Sequence, residues 1–564
     1  MDKFSNIQYE RPDMESFKAA VKTFVEEFPK ADSYETAKAL FLKLNQAKDH
    51  LDTMNTVASI RNTVNTADEF YEKEMEFFAQ AVPEAELALK AANERILESP
   101  FLKAFEKDYG ELYIHNIRNQ LRFANEANLE NQVKESRLTQ QYAKVSAVCT
   151  TTFHGENVNF YGLLKYMQST DRTLRREAFQ AWSALYESVS PELDKIYDEL
   201  IKVRCDMAEK LGFKDYIEMA YQSRERFEYD RRDVENFRNQ IVSEIVPLCQ
   251  QLFEQQRVRL GIDKLYYYDE ALVYPEGNAI PKGTARELVL KAQKMYRELS
   301  KETGEFFDYM VEHGLFDLET KPGKRQGGYC TFLADDKAPF IFSNFNGTSA
   351  DVDVLTHEAG HAFEAYSASR IYPLSGQVWS TTEIDEIHSM SMEFFTYPWM
   401  DMFFEENADK YRYAHLVSAL TVIPYMACVD EFQHRVFEEK AVNAGRRREI
   451  WRELERRYMP WRDYDGNKFL EEGGFWMQKQ HIFLFPFYYI DYALAQMGAF
   501  EFYGRMKENR EAAWEDYYRL CCAGGSQGYF ELLKIAGLSN PFAKGTVKKV
   551  MDSIRHELTR DVKL

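Results

Sequence analysis

The chain is poor in the residues that make turns. Its 564 residues include only 26 glycines and 16 prolines, below the usual shares of about 7% and 5%. A protein built of short strands needs more of both, so this shortage argues against an all-β fold and against a long low-complexity region. Hydrophobic residues make up 45% of the chain and aromatic residues 15%. That content is enough to bury a large core, and it excludes disorder as the main state.

Positive charge and long apolar runs are also scarce. Lys and Arg number 71 against 91 Asp and Glu, which gives a net charge of -20. Nucleic acids and anionic membranes both require a cationic contact surface, so we expect neither as a partner. No stretch of uncharged apolar residues has the length of a membrane span, and none near the N-terminus has the length of a signal peptide.

The seven cysteines form no CxxC pair. Their odd number and wide scatter make a disulfide framework or a Cys₄ metal site improbable. We interpret most of them as buried thiols that pack as small hydrophobic residues. The sequence therefore predicts a protein of the reducing cytoplasm.

Apolar residues recur every three or four positions through most of the chain, which is the period of amphipathic helices. Four stretches show this pattern clearly: 37–58, 72–97, 191–211 and 286–312. Two segments depart from it. Residues 145–160 predict a short hairpin, and residues 321–346 predict a small antiparallel sheet with a free edge at 339–343. The predicted fold class is mostly α, with a small antiparallel sheet before the next helix.

That next helix carries the sequence His357-Glu358-Ala359-Gly360-His361. Residues 348–351 resemble a capping box, and apolar residues then follow at helical spacing. Because four residues are close to one turn, both imidazoles lie on one side, where they can share a Zn²⁺ ion at about 2.0 to 2.1 Å. Glu358 can then reach a metal-activated water without being a ligand, as a general base must.

A catalytic zinc ion usually takes three protein ligands and leaves a fourth position open. The third ligand is expected in a second helix, near 381–393. A third histidine in the pattern HExxHxxGxxH is missing, which excludes a metzincin. Spacing alone leaves four candidates for the third ligand: Glu383, Asp385, Glu386 and His388.

A third group of residues lies near the C-terminal end. Tyr488, Tyr489 and Tyr492 share one side of a helix that Pro486 could begin, and His481 comes just before it. Peptide hydrolysis creates an oxyanion, which a tyrosine hydroxyl or a histidine N–H can stabilise. An aromatic core helix is the alternative interpretation.

Gly327, Gly328 and Tyr329 form a weaker candidate for substrate binding. Two glycines let a substrate backbone approach closely, although they also simply make turns.

The motif HEAGH, followed by Glu386-x-x-Ser389-x-x-x-Glu393, resembles the thimet oligopeptidase and oligoendopeptidase F family of zinc metallopeptidases. The resemblance implies that Glu386 is the third ligand of one zinc ion per chain, and that Ser389 and Glu393 support it. It also implies a helical ellipsoid divided by a deep substrate channel. The resemblance assigns oxyanion stabilisation to three further residues: His481, Tyr489 and Tyr492.

Within this family the chain is most similar to the bacterial Pz-peptidase branch, which cleaves collagen-derived peptides containing proline and glycine. The glycine-rich loop of the animal enzymes is replaced here by residues 480–486, so the register of that motif is defined only to within one position. The resemblance implies a cytoplasmic endopeptidase whose partners are short peptides, with Tyr488 among the substrate-binding residues.

We divide the chain accordingly into three consecutive regions. The first two are helical and the third is catalytic, with the sheet at 321–346 and the zinc-site helices at 348–396: 1–190, 191–320 and 321–564. Two alternative functions stay open at this point. One is a zinc carboxypeptidase of helical fold, and the other is a non-catalytic interaction scaffold in which HEAGH is structural.

Overall fold

A computed structural model describes residues 1–559 except 322, 326, 441 and 442. The predicted fold class is confirmed, since 72% of the structure is helical. The α-helices, in chain order, are α1 Met14–Glu27, α2 Tyr34–Val64, α3 Glu69–Leu97, α4 Leu102–Tyr109, α5 Glu111–Phe123, α6 Leu129–Val148, α7 Phe160–Tyr166, α8 Arg172–Lys210, α9 Tyr216–Ser223, α10 Arg231–Gln240, α11 Val246–Arg259, α12 Ala285–Leu299, α13 Lys301–His313, α14 Ala350–Ala368, α15 Thr382–Phe395, α16 Asp401–Phe404, α17 Ala408–Thr421, α18 Ile423–Glu439, α19 Ala444–Tyr458, α20 Lys468–Glu471, α21 Gln480–Leu484, α22 Tyr489–Glu508, α23 Arg510–Ala523, α24 Tyr529–Ile535 and α25 Thr546–Thr559.

Two of the predicted helical stretches, 191–211 and 286–312, differ from the observed helices for identifiable reasons. Helix α8 begins at Arg172 and continues through Pro191, whereas the predicted helical stretch began at residue 191. Proline has no N–H to bond the carbonyl of residue 187, but the Ser190 hydroxyl donates to that oxygen over 2.9 Å. The predicted helix at 286–312 is instead two helices, because Ser300 ends α12 and caps α13 by accepting the N–H of Thr303 at 3.1 Å.

Five strands in the described part of the chain form two small sheets. Strands β1 Thr150–Phe153 and β2 Glu156–Asn159 pair antiparallel as the predicted hairpin. The second sheet has the order β3-β5-β4 and comprises β3 Phe316–Glu319, β4 Tyr329–Leu333 and β5 Ala338–Phe345. The antiparallel pairing of β4 with β5 was predicted. Strand β3, which runs parallel to β5, was not.

The free edge predicted at 339–343 is wrong. Strand β5 is the central strand, because β3 pairs with one side of it and β4 with the other. Its residues are almost all buried, as expected for a strand that is covered on both faces. The chain then turns directly from β5 into α14, which carries the HEAGH motif.

Backbone contacts divide the chain into two compact units, each built from three segments. Unit 1 comprises Met1–Ala124, Ile280–Ala408 and Glu501–Ser539, and it contains the HEAGH helix. Unit 2 comprises Asn125–Ala279, Asp409–Phe500 and Asn540–Leu564, and it contains His481 and the tyrosines that follow it. The three consecutive regions drawn from the sequence do not coincide with these units, and the boundary at 190 falls inside α8.

One stretch, Asp401–Glu439, is apolar and long enough to cross a membrane by length and composition alone. About two thirds of its most apolar window, 67%, is buried inside the protein. Core helices commonly meet the same criterion, so the stretch is weak evidence for a membrane span.

Candidate active site

Helix α14 presents the HEAGH motif from a start that differs from the predicted capping box. Ser349 precedes the helix without a side-chain capping bond. The Asp351 carboxylate reaches back instead and accepts the N–H groups of Asn346 and Gly347 at 2.9 and 2.8 Å. These bonds fix the turn between β5 and α14, and with it the position at which the motif begins.

The side chains of His357, His361 and Glu386 converge in unit 1. Both imidazoles present Nε2 to the same carboxylate oxygen, Oε2 of Glu386, at 3.3 Å from His357 and 3.5 Å from His361. The two rings lie 5.1 Å apart and are nearly perpendicular, at 82°. One ligand atom from each residue lies within 4.8 Å of the other two.

The donor set fits a zinc ion. Bonds of about 2.0 to 2.1 Å at tetrahedral angles separate neighbouring ligand atoms by about 3.3 to 3.4 Å, close to the two separations just given. Two imidazole nitrogens and one carboxylate oxygen also leave a fourth position open, as catalytic zinc sites do. These three residues would hold the metal.

Two further residues of α15 orient this cluster. The Glu393 carboxylate lies 2.6 Å from Nδ1 of His357, which turns Nε2 of that ring towards Glu386. The Ser389 hydroxyl donates to Oε2 of Glu386 at 3.1 Å and to its backbone carbonyl at 3.0 Å. Burial opposes ionisation of Glu386, but its contacts with the two histidines hold its pKa well below the usual value.

The other candidate ligands lie elsewhere. Nδ1 of His388 is 2.9 Å from Oε2 of Glu364, and both side chains are fully buried. Asp385 belongs to the same second group, and its carboxylate accepts the Ser380 N–H at 2.9 Å. Asp385 and His388 therefore join α14 to α15 and do not face the two imidazoles of the motif. Glu383 is buried at 1% exposure and is in neither group of potential ligands.

Glu358 is 8% exposed and lies beside the predicted glycine pair. A Cβ at Gly328 would lie 3.1 Å from Cγ1 of Val354 and 3.6 Å from Oε1 of Glu358, so glycine leaves more space beside the Glu358 carboxylate. Burial raises the pKa of Glu358, while His357 and His361 lower it in part. Gly327 has a φ of 103°, a conformation that favours glycine. The Tyr329 hydroxyl bonds to Thr63 at 2.7 Å, so that side chain is held against α2.

The second predicted group lies in unit 2. The His481 ring, on α21, lies 4.8 Å from the ring of Tyr489, 5.9 Å from that of Tyr488 and 6.2 Å from that of Tyr492. Helix α22 begins at Tyr489 and not at Pro486 as predicted. Lys479, which the sequence did not single out, bonds the Tyr489 hydroxyl through Nζ at 3.0 Å and lies 4.2 Å from the centre of its ring.

Two family models match the chain. One, described as peptidase family M3, matches residues 165–552, and the other, described as the peptidase M3 N-terminal domain, matches residues 4–124. The first match alone covers more than half of the sequence. The chain belongs to peptidase family M3. This membership confirms the resemblance inferred from the motifs and assigns the chain to a class of metallopeptidases.

Individual M3 proteins extend this finding. An oligoendopeptidase F homolog from Borreliella burgdorferi is 25% identical over 387 residues, which cover 66% of this chain and 63% of the relative. The alignment thus spans somewhat less than two thirds of that relative. A solved structure of PZ peptidase A with an inhibitor has a TM-score of 0.94 and 44% identity, covering 99% of this chain and 100% of the other. A Bacillus anthracis protein described as an oligoendopeptidase F has a TM-score of 0.90 and 40% identity, covering 100% of both chains.

Gly360, inside the motif of this M3 protein, lets the two metal-site helices touch. A Cβ on Gly360 would lie 2.6 Å from the His388 carbonyl oxygen and 2.6 Å from the Cα of Ser389. Both atoms belong to the backbone of α15, so neither can rotate away. The absence of a side chain at Gly360 is therefore what allows Glu386 to reach the two imidazoles.

We expect Gly360→Ala to destabilise the protein by about 1 to 3 kcal/mol, because it overpacks a close contact. An ordinary Gly→Ala change inside a helix would stabilise by about 1 kcal/mol instead. The separated helices should also bind zinc more weakly. Urea denaturation and zinc titration measure the two effects.

Gly445→Ala, in α19, is the matched control for that variant. The Cβ added there meets first a side-chain oxygen of Asn443, at 3.1 Å, and not a neighbouring backbone. This control should keep its zinc affinity. A Gly360→Ala protein as stable as the wild type, with unchanged zinc affinity, would contradict the close-contact argument.

Proposed function

We propose that the protein is a zinc-dependent endopeptidase that hydrolyses short peptides, with one zinc ion per chain. The observation that carries this proposal is the convergence of His357, His361 and Glu386 next to the buried carboxylate of Glu358. A closed structural zinc site would have four protein ligands, whereas this group offers three. Membership of peptidase family M3 supports the same reaction.

The chain's own residues carry the proton transfers in this mechanism. His357, His361 and Glu386 would hold the zinc ion, which would supply a Lewis acid for the acidification of water and the polarisation of the scissile carbonyl. Glu358 removes a proton from the attacking water and later delivers it to the leaving amine. Glu393 fixes the orientation of His357, and Ser389 fixes that of Glu386.

The third motif, from His481 to Tyr492, supplies the remaining chemistry in this proposal. His481, Tyr489 and Tyr492 donate hydrogen bonds to the oxyanion formed from the attacked carbonyl, which is the charge that grows in the transition state. Substrate contacts are assigned to Tyr488 and to the segment Gly327-Gly328-Tyr329. The glycines leave room for a peptide backbone beside Glu358.

The substrate class follows from similarity. The resemblance of the motifs to the Pz-peptidase branch implies collagen-derived peptides containing proline and glycine, and we propose these among the substrates. The similarity to a PZ peptidase A over nearly the whole chain supports this proposal. We also propose a cytoplasmic location, in keeping with the odd number and wide scatter of the cysteines, and no nucleic acid or membrane partner, in keeping with the net charge of -20.

The test is incubation of the zinc-loaded protein with a peptide library of mixed lengths, with cleavage sites read by mass spectrometry. Peptides blocked at both ends should be cut internally, and a chelator should stop the cutting until zinc is restored. Removal of single C-terminal residues only, with blocked peptides left intact, would support a carboxypeptidase. Absence of chelator-sensitive hydrolysis would overturn the proposal and favour a scaffold.

A further inference from the structure

We propose that two buried arginines of unit 2, Arg204 and Arg226, are positioning residues. They hold the segment from His481 to Tyr492 in the conformation that its catalytic side chains require. This inference rests on the catalytic role proposed above for His481, Tyr489 and Tyr492. Neither arginine lies in the motifs that the sequence singles out. Both side chains are almost completely buried, at 1% and 0% exposure.

Arg204, on α8, holds the start of the segment. Its Nη2 donates to the Phe483 carbonyl at 2.5 Å and its Nη1 to the Ile482 carbonyl at 3.5 Å. These are the two residues that directly follow His481. The guanidinium is balanced by Glu135, which accepts from Nε at 2.7 Å, so the charge is paired despite its burial.

Arg226, which follows α9, holds the other end. Its Nη2 donates to the Phe487 carbonyl at 2.6 Å and also to the Asp491 carboxylate, which lies between Tyr489 and Tyr492. The guanidinium carbon lies 4.7 Å from the centre of the Tyr221 ring. One buried cation therefore joins the turn before α22 to the first turn of that helix.

The backbone between the contacts of Arg204 and those of Arg226 has a conformation that requires such support. Phe487 has a φ of 62°, a left-handed value that is unfavourable for a bulky residue. Its N–H donates to the Gln433 side chain at 3.0 Å while its carbonyl accepts from Arg226. Strained backbone of this kind persists only where the surroundings determine it, and it commonly occurs at functional sites. The strain turns the chain so that Tyr488 and Tyr489 face the His481 ring.

The decisive variant is Arg226→Lys. Lysine keeps a cation next to Asp491, which favours folding, but its side chain ends one atom earlier, about 1.3 Å short. It cannot hold Phe487 and Asp491 in the same geometry. We expect kcat for a blocked peptide to fall at least about tenfold, because displaced catalytic groups lose contacts that form in the transition state. The rise in KM from the displacement of Tyr488 should be smaller. Zinc content should stay at the wild-type level.

Arg175→Lys is the matched control. Arg175 is also a buried arginine of unit 2, at 2% exposure. It also pairs with a carboxylate and a carbonyl, those of Asp269 at 2.7 Å and Ser169 at 2.8 Å, and neither partner belongs to the segment 481–492. A general loss of stability would affect both lysine variants alike, whereas loss of positioning should lower kcat only in Arg226→Lys.

A double-mutant cycle separates positioning from simple structural support. In a Tyr489→Phe/Tyr492→Phe background the hydroxyls are already absent, so Arg226→Lys should cost clearly less than it does in the wild type. An equal fold-loss in both backgrounds, or unchanged kcat in Arg226→Lys, would overturn the proposal.

Hydrogen exchange provides a readout that does not depend on catalysis. The amides of Phe487 and Tyr488 should exchange at least about tenfold faster in Arg226→Lys than in the wild type or in Arg175→Lys, because a supporting contact is lost. If the wild type proves to have no peptidase activity, the proposed function fails, and the exchange rates still decide whether Arg226 holds the segment. Unchanged exchange would show that it does not.

Discussion

Replacing Glu358 by glutamine is expected to lower kcat/KM for a blocked peptide by about 10²- to 10⁴-fold, the range that general acid–base catalysis contributes. The amide has the same shape but cannot accept the proton of the attacking water. Glu358 is not one of the three converging ligands, so zinc binding should be retained. Initial rates with an internally quenched peptide, together with zinc content by mass spectrometry, measure both quantities.

The Glu358→Asp variant serves as the control for that experiment. It keeps the carboxylate on a side chain that is one carbon shorter, so its activity should fall between those of the wild type and Glu358→Gln. Activity of Glu358→Gln within about fivefold of the wild type would contradict the role of a general base, because even the low end of the expected range is larger. Loss of zinc from Glu358→Gln would show instead that the carboxylate helps to hold the metal.

The part of the site that the sequence could predict depends on local geometry. Residues four apart lie on one side of any helix, so His357 and His361 were certain to share a face once α14 was assigned as a helix. The hairpin at 145–160 and the pairing of β4 with β5 follow from equally local patterns of turn and apolar residues.

The choice of a third ligand is different, because it depends on how α14 and α15 cross. Four residues of α15 were candidates, and spacing along one helix cannot tell which of them faces another helix. The contact of Gly360 with the backbone at His388 and Ser389 sets that crossing. It brings Glu386 to the imidazoles and directs Asp385 and His388 towards Glu364. The resemblance to a known family, and not the spacing, identified Glu386 among the four candidates.

Contacts between residues that are far apart in the chain could not be predicted from the sequence for the same reason. Arg204 lies 279 residues before Phe483, and Arg226 lies 261 residues before Phe487. Strand β3 has four residues and pairs with a strand that begins about 20 residues later. A run that short carries almost no periodic signal. Nothing in the sequence marks Arg226 as a buried residue, because it stands in the charged run 224–233.

Removing the proposed third ligand gives the second large effect. Glu386→Ala is expected to weaken zinc binding by more than about 100-fold, because loss of a hydrogen-bonded supporting residue already costs about 10- to 100-fold and a direct ligand contributes more. One oxygen of Glu386 contacts both imidazoles, so the variant should also leave the two histidines less well ordered. Competition with a chelator of known affinity measures the change.

Two further variants test the zinc affinity in the same way, one with an expected intermediate loss and one with no expected loss. Glu393→Gln should weaken zinc binding by about 10- to 100-fold, because it removes the carboxylate that orients His357. Glu383→Gln replaces a glutamate of the same helix that is outside both groups of potential ligands, and it should retain zinc. Full zinc occupancy in Glu386→Ala, with loss in Glu383→Gln, would reverse the assignment. Melting curves recorded without metal show whether each variant is folded, so loss of the ion can be distinguished from loss of the site that holds it.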